Sequence, residues 1–479
     1  GLASIPSSLK NTEEISCIAK RKTFIINKLL NSKINNYCSE NKISVYNFLM
    51  SIYALYIGRV SNLTDFVIGT PILNRINFKE KSTLGMFVST QPLRVNIENS
   101  NTFKDLTSTI ASNSLSMLRH QRYPYEDILK DLRKENNNLP NLYNILLSYQ
   151  ITKATTEGID YTTEWSFNGN CADELQIHIQ DLNDLGELNI SYDFKTQKYT
   201  DTEIEALHKR ILHIIDQVLE NTEIELNNIE IVTEEEKEEL LYKFNNTKKE
   251  YKFKNSIIEH IEEVAKKHPN KIALEDSSNS ITYHELIEKV NKVANFIIKN
   301  YSFKEYSNIG VLTYRNMNTI ISILAVLKIN CTIVPIDPEY PLDRIQYMIE
   351  SSKISHILTS EKYKDNLDIN FINITNAIYD NYSDILDKKF EYNILNNLYI
   401  VFTSGSTGKP KGISLMHKNM LNLVFDEIYN TSLLNDITNI RILQFATMSF
   451  DVSYQEIFSA FLTNSTLVLV DEETRKNSY

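Results

Sequence analysis

Apolar residues recur at helical spacing between Ile43 and Val60, at Val45, Phe48, Leu49, Ile52, Leu55 and Tyr56, and predict an amphipathic helix packed on a core. The runs Phe66-Val67-Ile68 and Met86-Phe87-Val88 read as strands. Phe103, Leu106, Ile110 and Leu115 then put one apolar side on a long helix that ends near His120. This much predicts an α/β domain. Between Asn221 and Tyr251 the chain turns highly charged. Thr233-Glu234-Glu235-Glu236 fits a capping box opening a short helix through Leu240-Leu241, because Glu236 can reach back to the free amide at the helix start. Phe244-Asn245-Asn246-Thr247 and the lysines after it read as an exposed connector. Beyond Tyr251 the two periodicities alternate: a helix from Ser256 to Lys267, the strand Ile272-Ala273-Leu274, a second helix led by Ile281 through Leu286, and the strand Ile309-Gly310-Val311-Leu312. Alternation of this kind implies a mostly parallel sheet with helices on both faces. Further on, Leu398 to Phe402 reads as a buried strand, Met420, Leu421, Leu423, Val424 and Ile428 mark a helix, and Ser465 to Val470 is strand-like.

Composition narrows the class of protein without naming a chemistry. The 479 residues, with 42% apolar and 23% charged, are ordinary for globular domains, and the length prior is about three of them. A net charge of -11 with no offsetting basic stretch argues against a general nucleic-acid or anionic-membrane binder. No apolar run approaches the roughly 18 residues that span a bilayer. Cys17, Cys38, Cys171 and Cys331 are scattered, with no C-x-x-C pair, so a reduced, cytoplasmic protein without structural zinc is expected. The opening residue is Gly1 rather than Met, and Tyr479 closely follows a strand-like run. A piece cut from something longer is expected.

Between the strand ending at Phe402 and the helix around Met420 lies Thr403-Ser404-Gly405-Ser406-Thr407-Gly408-Lys409-Pro410-Lys411-Gly412. A strand that opens into a small-residue loop and then a helix is suited to hold phosphate. Glycines let the backbone approach, Ser and Thr hydroxyls and amides donate, and Lys409 and Lys411 bring positive charge. The loop is not the common P-loop, which would need Gly at Thr403 and Ser or Thr at Pro410; nor is it G-x-G-x-x-G, since Thr407 stands where the second glycine would.

The ten-residue string resembles the phosphate-binding signature TSG(S/T)TGxPKG of the adenylate-forming enzymes. Ile281-Thr282-Tyr283-His284-Glu285-Leu286 and Val334-Pro335-Ile336-Asp337-Pro338-Glu339-Tyr340-Pro341, with Arg344-Ile345 and Tyr347, resemble further patterns of amino-acid adenylation domains. The chain departs at Ile329-Asn330-Cys331, where the family usually has Ala-Gly-x, so the tight turn must be made another way. The prolines of the second pattern read as a rigid turn rather than a catalytic group. In Phe450-Asp451-Val452-Ser453, Asp451 could be an ordinary helix cap. The family's FDxS motif implies instead that Asp451 binds the α-amino group of an amino acid, with Val452 and Gln455 beginning its side-chain pocket. Gln455, polar and not aromatic, fits a polar or mid-sized side chain.

Earlier in the chain, Asp65 to Pro71 with Asn74-Arg75, Leu84 to Arg94, and His120 to Glu126 resemble three successive motifs of the condensation domains of nonribosomal peptide synthetases, with departures at Ser89 (usually Asn) and Tyr125 (usually Phe). That domain's catalytic HHxxxDG is absent, since no two histidines here are adjacent; the family places it upstream of these motifs. His120 reads as structural, and lone His178, His208 and His213 as surface or packed residues, with no triad in the first half.

The resemblance implies an α/β chain in which a chloramphenicol-acetyltransferase-like half-domain is followed by a truncated adenylate-forming (ANL-type) domain. The C-terminal portion of a condensation domain would span 1–225, a charged linker 226–250, and the N-terminal portion of an adenylation domain 251–479. It implies a synthetase segment that uses ATP and Mg2+ to activate an amino acid as aminoacyl-adenylate. Thr403, Ser404, Gly405, Ser406, Thr407, Gly408, Lys409 and Lys411 would lie on the ATP phosphates. No side-chain cluster would hold a metal, the phosphopantetheine would sit on separate peptidyl or acyl carrier protein domains, and neither nucleic acid nor membrane would be a partner. The segment alone is expected to be incomplete for catalysis. The alternatives are a stand-alone acyl- or aryl-CoA ligase and an inactive scaffold.

Overall fold

The computed structural model describes residues 2–9, 16–98, 101–137, 139, 141–151, 165–181, 186–251, 253, 255–363, 367–403, 410–430, 440–471 and 474–475, with backbone only at 428–430. The chain separates between Lys248 and Lys249 into two compact units.

The first unit runs β1 (Ala19–Ile26), α1 (Lys28–Glu40), α2 (Val45–Val60), β2 (Asp65–Ile72), α3 (Phe78–Ser82), β3 (Ser89–Asn96), α4 (Phe103–Arg119), α5 (Tyr125–Glu135), β4 (Ile145–Gln150), β5 (Leu175–Gln180), β6 (Leu188–Lys195), α6 (Asp201–Glu220) and α7 (Glu234–Glu238). Its six strands form one mixed sheet in the order β1-β6-β5-β4-β2-β3. Alternation decides the faces: Ile177, Ile179, Ile190, Tyr192 and Phe194 join a core with α1, α2, α4 and α6, while Gln176, His178, Ser191 and Asp193 point the other way. The helix predicted after Ile43 is α2, but it is buried all round from Phe48 to Ile57 rather than along one stripe. α1 and α2, bent 104° to each other, together pass a length-and-composition test for a membrane span. α2 is apolar because it is core.

Met86-Phe87-Val88 does not form the predicted strand. β3 begins at Ser89, opposite Ile72, where β2 ends, so the apolar run has no neighbour in the ladder and leaves Met86 93% exposed. The capping box at Thr233 and Glu236 forms as predicted. Glu236 also receives Arg210 of α6, at 2.7 Å from Nη2 to Oε1.

Beneath the sheet, Tyr53 Oη, Tyr192 Oη and His208 Nδ1 form a buried chain with links of 2.7 and 3.0 Å, and the His208 ring stacks on Phe24 with centroids 4.1 Å apart. Burial pushes the His208 imidazole from 6.5 down to about 4. The fold therefore holds it neutral where the unfolded chain would protonate. Its contribution is intact above pH 6.5 and is lost as pH falls from there through 4, up to about 3 kcal/mol. Denaturant unfolding at pH 7 and pH 4.5 should show a smaller loss in His208→Phe than in the parent; equal losses would remove His208 as the cause.

The second unit runs α8 (Ile257–Lys267), β7 (Ile272–Glu275), β8 (Ser280–Thr282), α9 (Tyr283–Asn300), β9 (Asn308–Leu312), α10 (Met317–Lys328), β10 (Thr332–Ile336), α11 (Leu342–Ser352), β11 (His356–Thr359), β12 (Asn370–Asn373), α12 (Asn376–Asn381), β13 (Asn397–Thr403), β14 (Lys411–Met416), α13 (His417–Asn430), β15 (Arg441–Gln444), α14 (Asp451–Leu462) and β16 (Thr466–Leu469). The parallel sheet is present as β12-β11-β9-β10-β13, with β14 antiparallel at one edge. β7 is not part of it; it joins a second sheet, β15-β16-β7-β8. β13 shows the double winding: Tyr399 and Val401 enter a core with α8, α9, α10, α13 and α14, whereas Ile400 and Phe402 enter a smaller one under α11. Gly310 on β9 leaves room for a neighbour, since a Cβ there would stand 2.8 Å from Ile357 Cγ1.

The turn at Ile329-Asn330-Cys331 is made by asparagine in the left-handed region, φ 59°. Its amide group donates to Glu305 Oε2 at 3.0 Å and to the Glu391 carbonyl at 3.1 Å. Asparagine is the residue that tolerates this conformation best after glycine. Asn330→Ala should cost about 2 kcal/mol, combining the backbone penalty with the lost hydrogen bonds. Asn330→Gly should recover about half of that in denaturant unfolding. If the two variants unfold alike, the conformation is not what selects the residue.

Candidate active site

The phosphate-loop string does not sit between a strand and a helix. β13 and β14 pair antiparallel, with Thr403 opposite Lys411 and Phe402 opposite Gly412, so the string closes a hairpin and α13 starts only at His417. The segment Lys411 to Met416 carries too little helical periodicity to extend α13 backward, and its backbone groups are satisfied by β13 instead. A helix N-terminus is thereby removed from the loop's account, leaving amides, hydroxyls and lysines as its donors. Thr403 and Lys411 are exposed at the base of the hairpin; Ser404, Gly405, Ser406, Thr407, Gly408 and Lys409 lie outside the described residues. A cleft of about 490 Å³ opens there, lined by Phe402, Pro410, Lys411 and Gly412 with Tyr347 of α11 and Lys353 just after it.

Asp451 is the first residue of α14, and Phe450 takes the cap position without a side-chain bond. Asp451 is therefore not the capping residue. Its Oδ1 accepts the Val452 amide at 2.9 Å and the side chain is otherwise turned to solvent, an arrangement that leaves the carboxylate able to take an ammonium. It lies close to β13: burial, and after it the Asp451 charge, push the Tyr399 phenol above its ordinary range. Tyr399 stacks on Tyr454, one turn along α14, with centroids 4.4 Å apart. The helical repeat sets Asp451, Gln455 and Ser459 on one side of α14, while Tyr454, Ile457, Phe458 and Phe461 fill the core. Val452 is 51% exposed. Gln455 Nε2 donates to Glu427 of α13.

The approach to Asp451 is held by Arg315 and Glu456, which no motif above marks, and by Tyr340, whose motif reads only as a turn. Arg315, after β9, donates to the Gln444 carbonyl and Oε1 at 3.0 and 2.8 Å, and to the Phe445 and Ala446 carbonyls at 2.9 and 2.8 Å. From the opposite side Glu456 accepts Gln444 Nε2 and the Phe445 and Ala446 amides, each at 3.1 Å. Tyr340 Oη meets Ser449 Oγ at 2.9 Å, with the Arg344 guanidinium 3.8 Å over the Tyr340 ring. Tyr340-Pro341 is thus more than a rigid turn, since it touches the segment that delivers Asp451. One signal was available: Glu456 is the one charged residue between Val452 and Phe461.

In the first unit, the motif residues meet through Gln91, which is buried and donates to the Gln121 and Tyr123 carbonyls at 3.3 and 3.2 Å and to Ser89 Oγ at 3.3 Å. Both departures have a use. Ser89 supplies an acceptor, and the Tyr125 hydroxyl accepts the Leu142 amide at 3.0 Å. Gly69 is required by close approach, because a Cβ there would lie 2.5 Å from the Tyr143 ring.

The expected absence of a triad needs correcting in its geometry. Adjacent strands align Ser148 Oγ with His178 Nδ1 at 2.8 Å and His178 Nε2 with Asp193 Oδ2 at 3.3 Å, partners that lie far apart in sequence. The array is not set for nucleophilic attack. Ser148 is buried, and Asp193 is engaged by Arg21 through two bonds of 2.7 and 2.8 Å. Burial pushes the Asp193 carboxyl up, but Arg21 and His178 together hold it below its ordinary range. His120 is the exposed C-cap of α4, and His208 is core.

Among the described residues no three His, Cys, Asp or Glu side chains stand together as metal ligands. Cys38, Cys171 and Cys331 are buried free thiols, each pushed up to about 12 by burial, and Cys17 is exposed.

Comparison with known proteins defines the class. The condensation-domain family matches residues 2–241, and the AMP-binding enzyme family residues 261–478. The chain belongs to the nonribosomal peptide synthetases, with a condensation-domain match followed by an AMP-binding one. Surfactin synthase subunit 1 of Bacillus subtilis (strain 168) is 32% identical over 461 residues, 96% of this chain and 13% of that protein. Gramicidin S synthase 2 of Brevibacillus brevis is 28% identical over 468 residues, 95% of this chain and 10% of that protein. Among solved structures, holo-AB3403, a four-domain nonribosomal peptide synthetase bound to AMP and glycine, matches with a TM-score of 0.75 at 16% identity over 95% of this chain and 35% of that one. FmoA3 in its AMPPNP-bound form gives 0.69 at 16% identity, over 98% and 49%. The fold is the expected one, a chloramphenicol-acetyltransferase-like half followed by an adenylate-forming α/β domain.

Proposed function

We propose that the second unit activates an amino acid with ATP, as the adenylation step of a synthetase whose condensation step involves the first unit. In this reading 1–225 is condensation domain, 226–250 the joining segment and 251–479 adenylation domain. The substrate carboxylate oxygen attacks the α-phosphorus of ATP, the bond to the β-phosphate oxygen breaks, and pyrophosphate leaves carrying the electron pair. The chain needs no nucleophilic side chain for this; its task is alignment and charge neutralisation. Thr403, Ser404, Gly405, Ser406, Thr407, Gly408, Lys409 and Lys411 take the phosphates. Mg2+ would be bound chiefly through the substrate phosphates and would supply neutralisation of their charge.

Asp451 takes the α-ammonium, and Val452 and Gln455 begin the side-chain pocket. The aminoacyl group would then pass to the phosphopantetheine thiol of a carrier protein domain, the bond to the AMP phosphate oxygen breaking so that AMP leaves and the thiol gives up its proton. The observation that carries the reading is the Asp451 carboxylate itself, open at the head of α14 beside the strand that leads into the hairpin. The full-length gene product should exchange radiolabelled pyrophosphate into ATP in an amino-acid-dependent way. Exchange driven only by carboxylic acids lacking an amino group would overturn the reading in favour of an acyl- or aryl-acid ligase.

A further inference from the structure

Glu427 lies on α13, outside every motif of the chain, and its carboxylate is turned onto the polar side of α14. Oε1 receives the Gln455 amide nitrogen and Oε2 the Ser459 hydroxyl at 3.4 Å. Gln455 is four residues, and therefore one helical turn, beyond Asp451 on the same side. With the substrate ammonium at Asp451, its side chain runs along α14 toward Gln455. A carboxylate can only accept hydrogen bonds, so it dictates which end of the Gln455 amide faces it. The nitrogen goes to Glu427, which turns the carbonyl oxygen away from Glu427 and leaves that oxygen and the second N–H for other partners.

We propose that Glu427 is a specificity-determining residue that orients Gln455 and makes the pocket reject acidic side chains. A carboxylate entering the pocket would approach the Glu427 carboxylate behind Gln455, like charge toward like charge, and would lose hydration of its own charge in doing so. A side chain that is apolar, or that donates a hydrogen bond, meets no such conflict. The inference rests on the assignment of Asp451 and Gln455 to the amino-acid site.

The test is amino-acid-dependent pyrophosphate exchange by the full-length gene product and its Glu427→Gln and Glu427→Ala variants, over a panel that includes aspartate and glutamate. Glu427→Gln is isosteric, and its neutral amide lets the Gln455 amide turn over. It should raise exchange with aspartate or glutamate, relative to the preferred amino acid, at least tenfold. Glu427→Ala should raise KM for the preferred amino acid severalfold while KM for ATP stays put, with Glu427→Gln restoring most of that loss. Parent-like selectivity in both folded variants would overturn the role of Glu427, as would strong use of acidic amino acids by the parent. Absence of any amino-acid dependence in the parent would instead overturn the adenylation reading beneath it.

Discussion

Replacing Asp451 by alanine is expected to lower kcat/KM for the amino acid by about a hundredfold to a thousandfold in the full-length gene product, and to change KM for ATP by no more than about twofold either way. The size follows from the chemistry. A bound ammonium has given up its water, and a carboxylate is the only replacement that returns both charge and hydrogen bond. The selectivity follows from the geometry: Asp451 heads α14, whereas the hairpin proposed to take phosphate is held by β13 and β14. Asp451→Asn should fall between, since it keeps an acceptor and loses the charge. Equal losses toward amino acid and ATP would show that Asp451 supports the unit as a whole rather than one substrate.

Arg315→Ala should be the second most damaging change, although Arg315 stands 136 residues before Asp451 in the chain. Its guanidinium satisfies three backbone carbonyls and the Gln444 side chain, and several of these acceptors would be left partly buried and unpaired. A loss of about 2–4 kcal/mol in the unfolding of the second unit is expected, with KM for the amino acid raised about tenfold or more as the 444–451 segment loosens. Glu456→Gln should reproduce the KM effect with a smaller stability loss, since one acceptor oxygen remains. The KM effect separates positioning from scaffolding. A lower melting temperature with unchanged KM would reduce the pair to structural support.

Local signals were legible wherever the chemistry is local. The capping box at Thr233, the parallel alternation and the buried run Leu398 to Phe402 all depend on residues within a few positions of one another. What failed depended on distant partners. Met86-Phe87-Val88 has the composition of a strand, but pairing requires a neighbour, and β2 ends too soon. The helix start expected behind the phosphate loop gave way to β14, because strand pairing with β13 outweighed a propensity that sets in only at His417. Ser148, His178 and Asp193 fall into line only through strand register, which no spacing rule reveals. Within the site, Asp451 and the hairpin string were found by motif. Arg315, Glu427 and Glu456 escaped, and so did the contact of Tyr340 with Ser449, because each acts on a segment encoded elsewhere.

The hairpin at Thr403 and Lys411 also determines where an occupied phosphate site would be felt. A loop at the head of a helix would pass strain along that helix's axis; a loop at the tip of two strands passes it down β13, whose Tyr399 rests on Tyr454 of α14. Under the proposed assignment the nucleotide and the amino acid would thus press on one strand and one helix in contact. Thermodynamic reciprocity then requires that any factor by which ATP alters the dissociation constant of the amino acid reappear unchanged in the effect of the amino acid on ATP. The chain would sense whether both substrates are aboard through a pair of stacked rings.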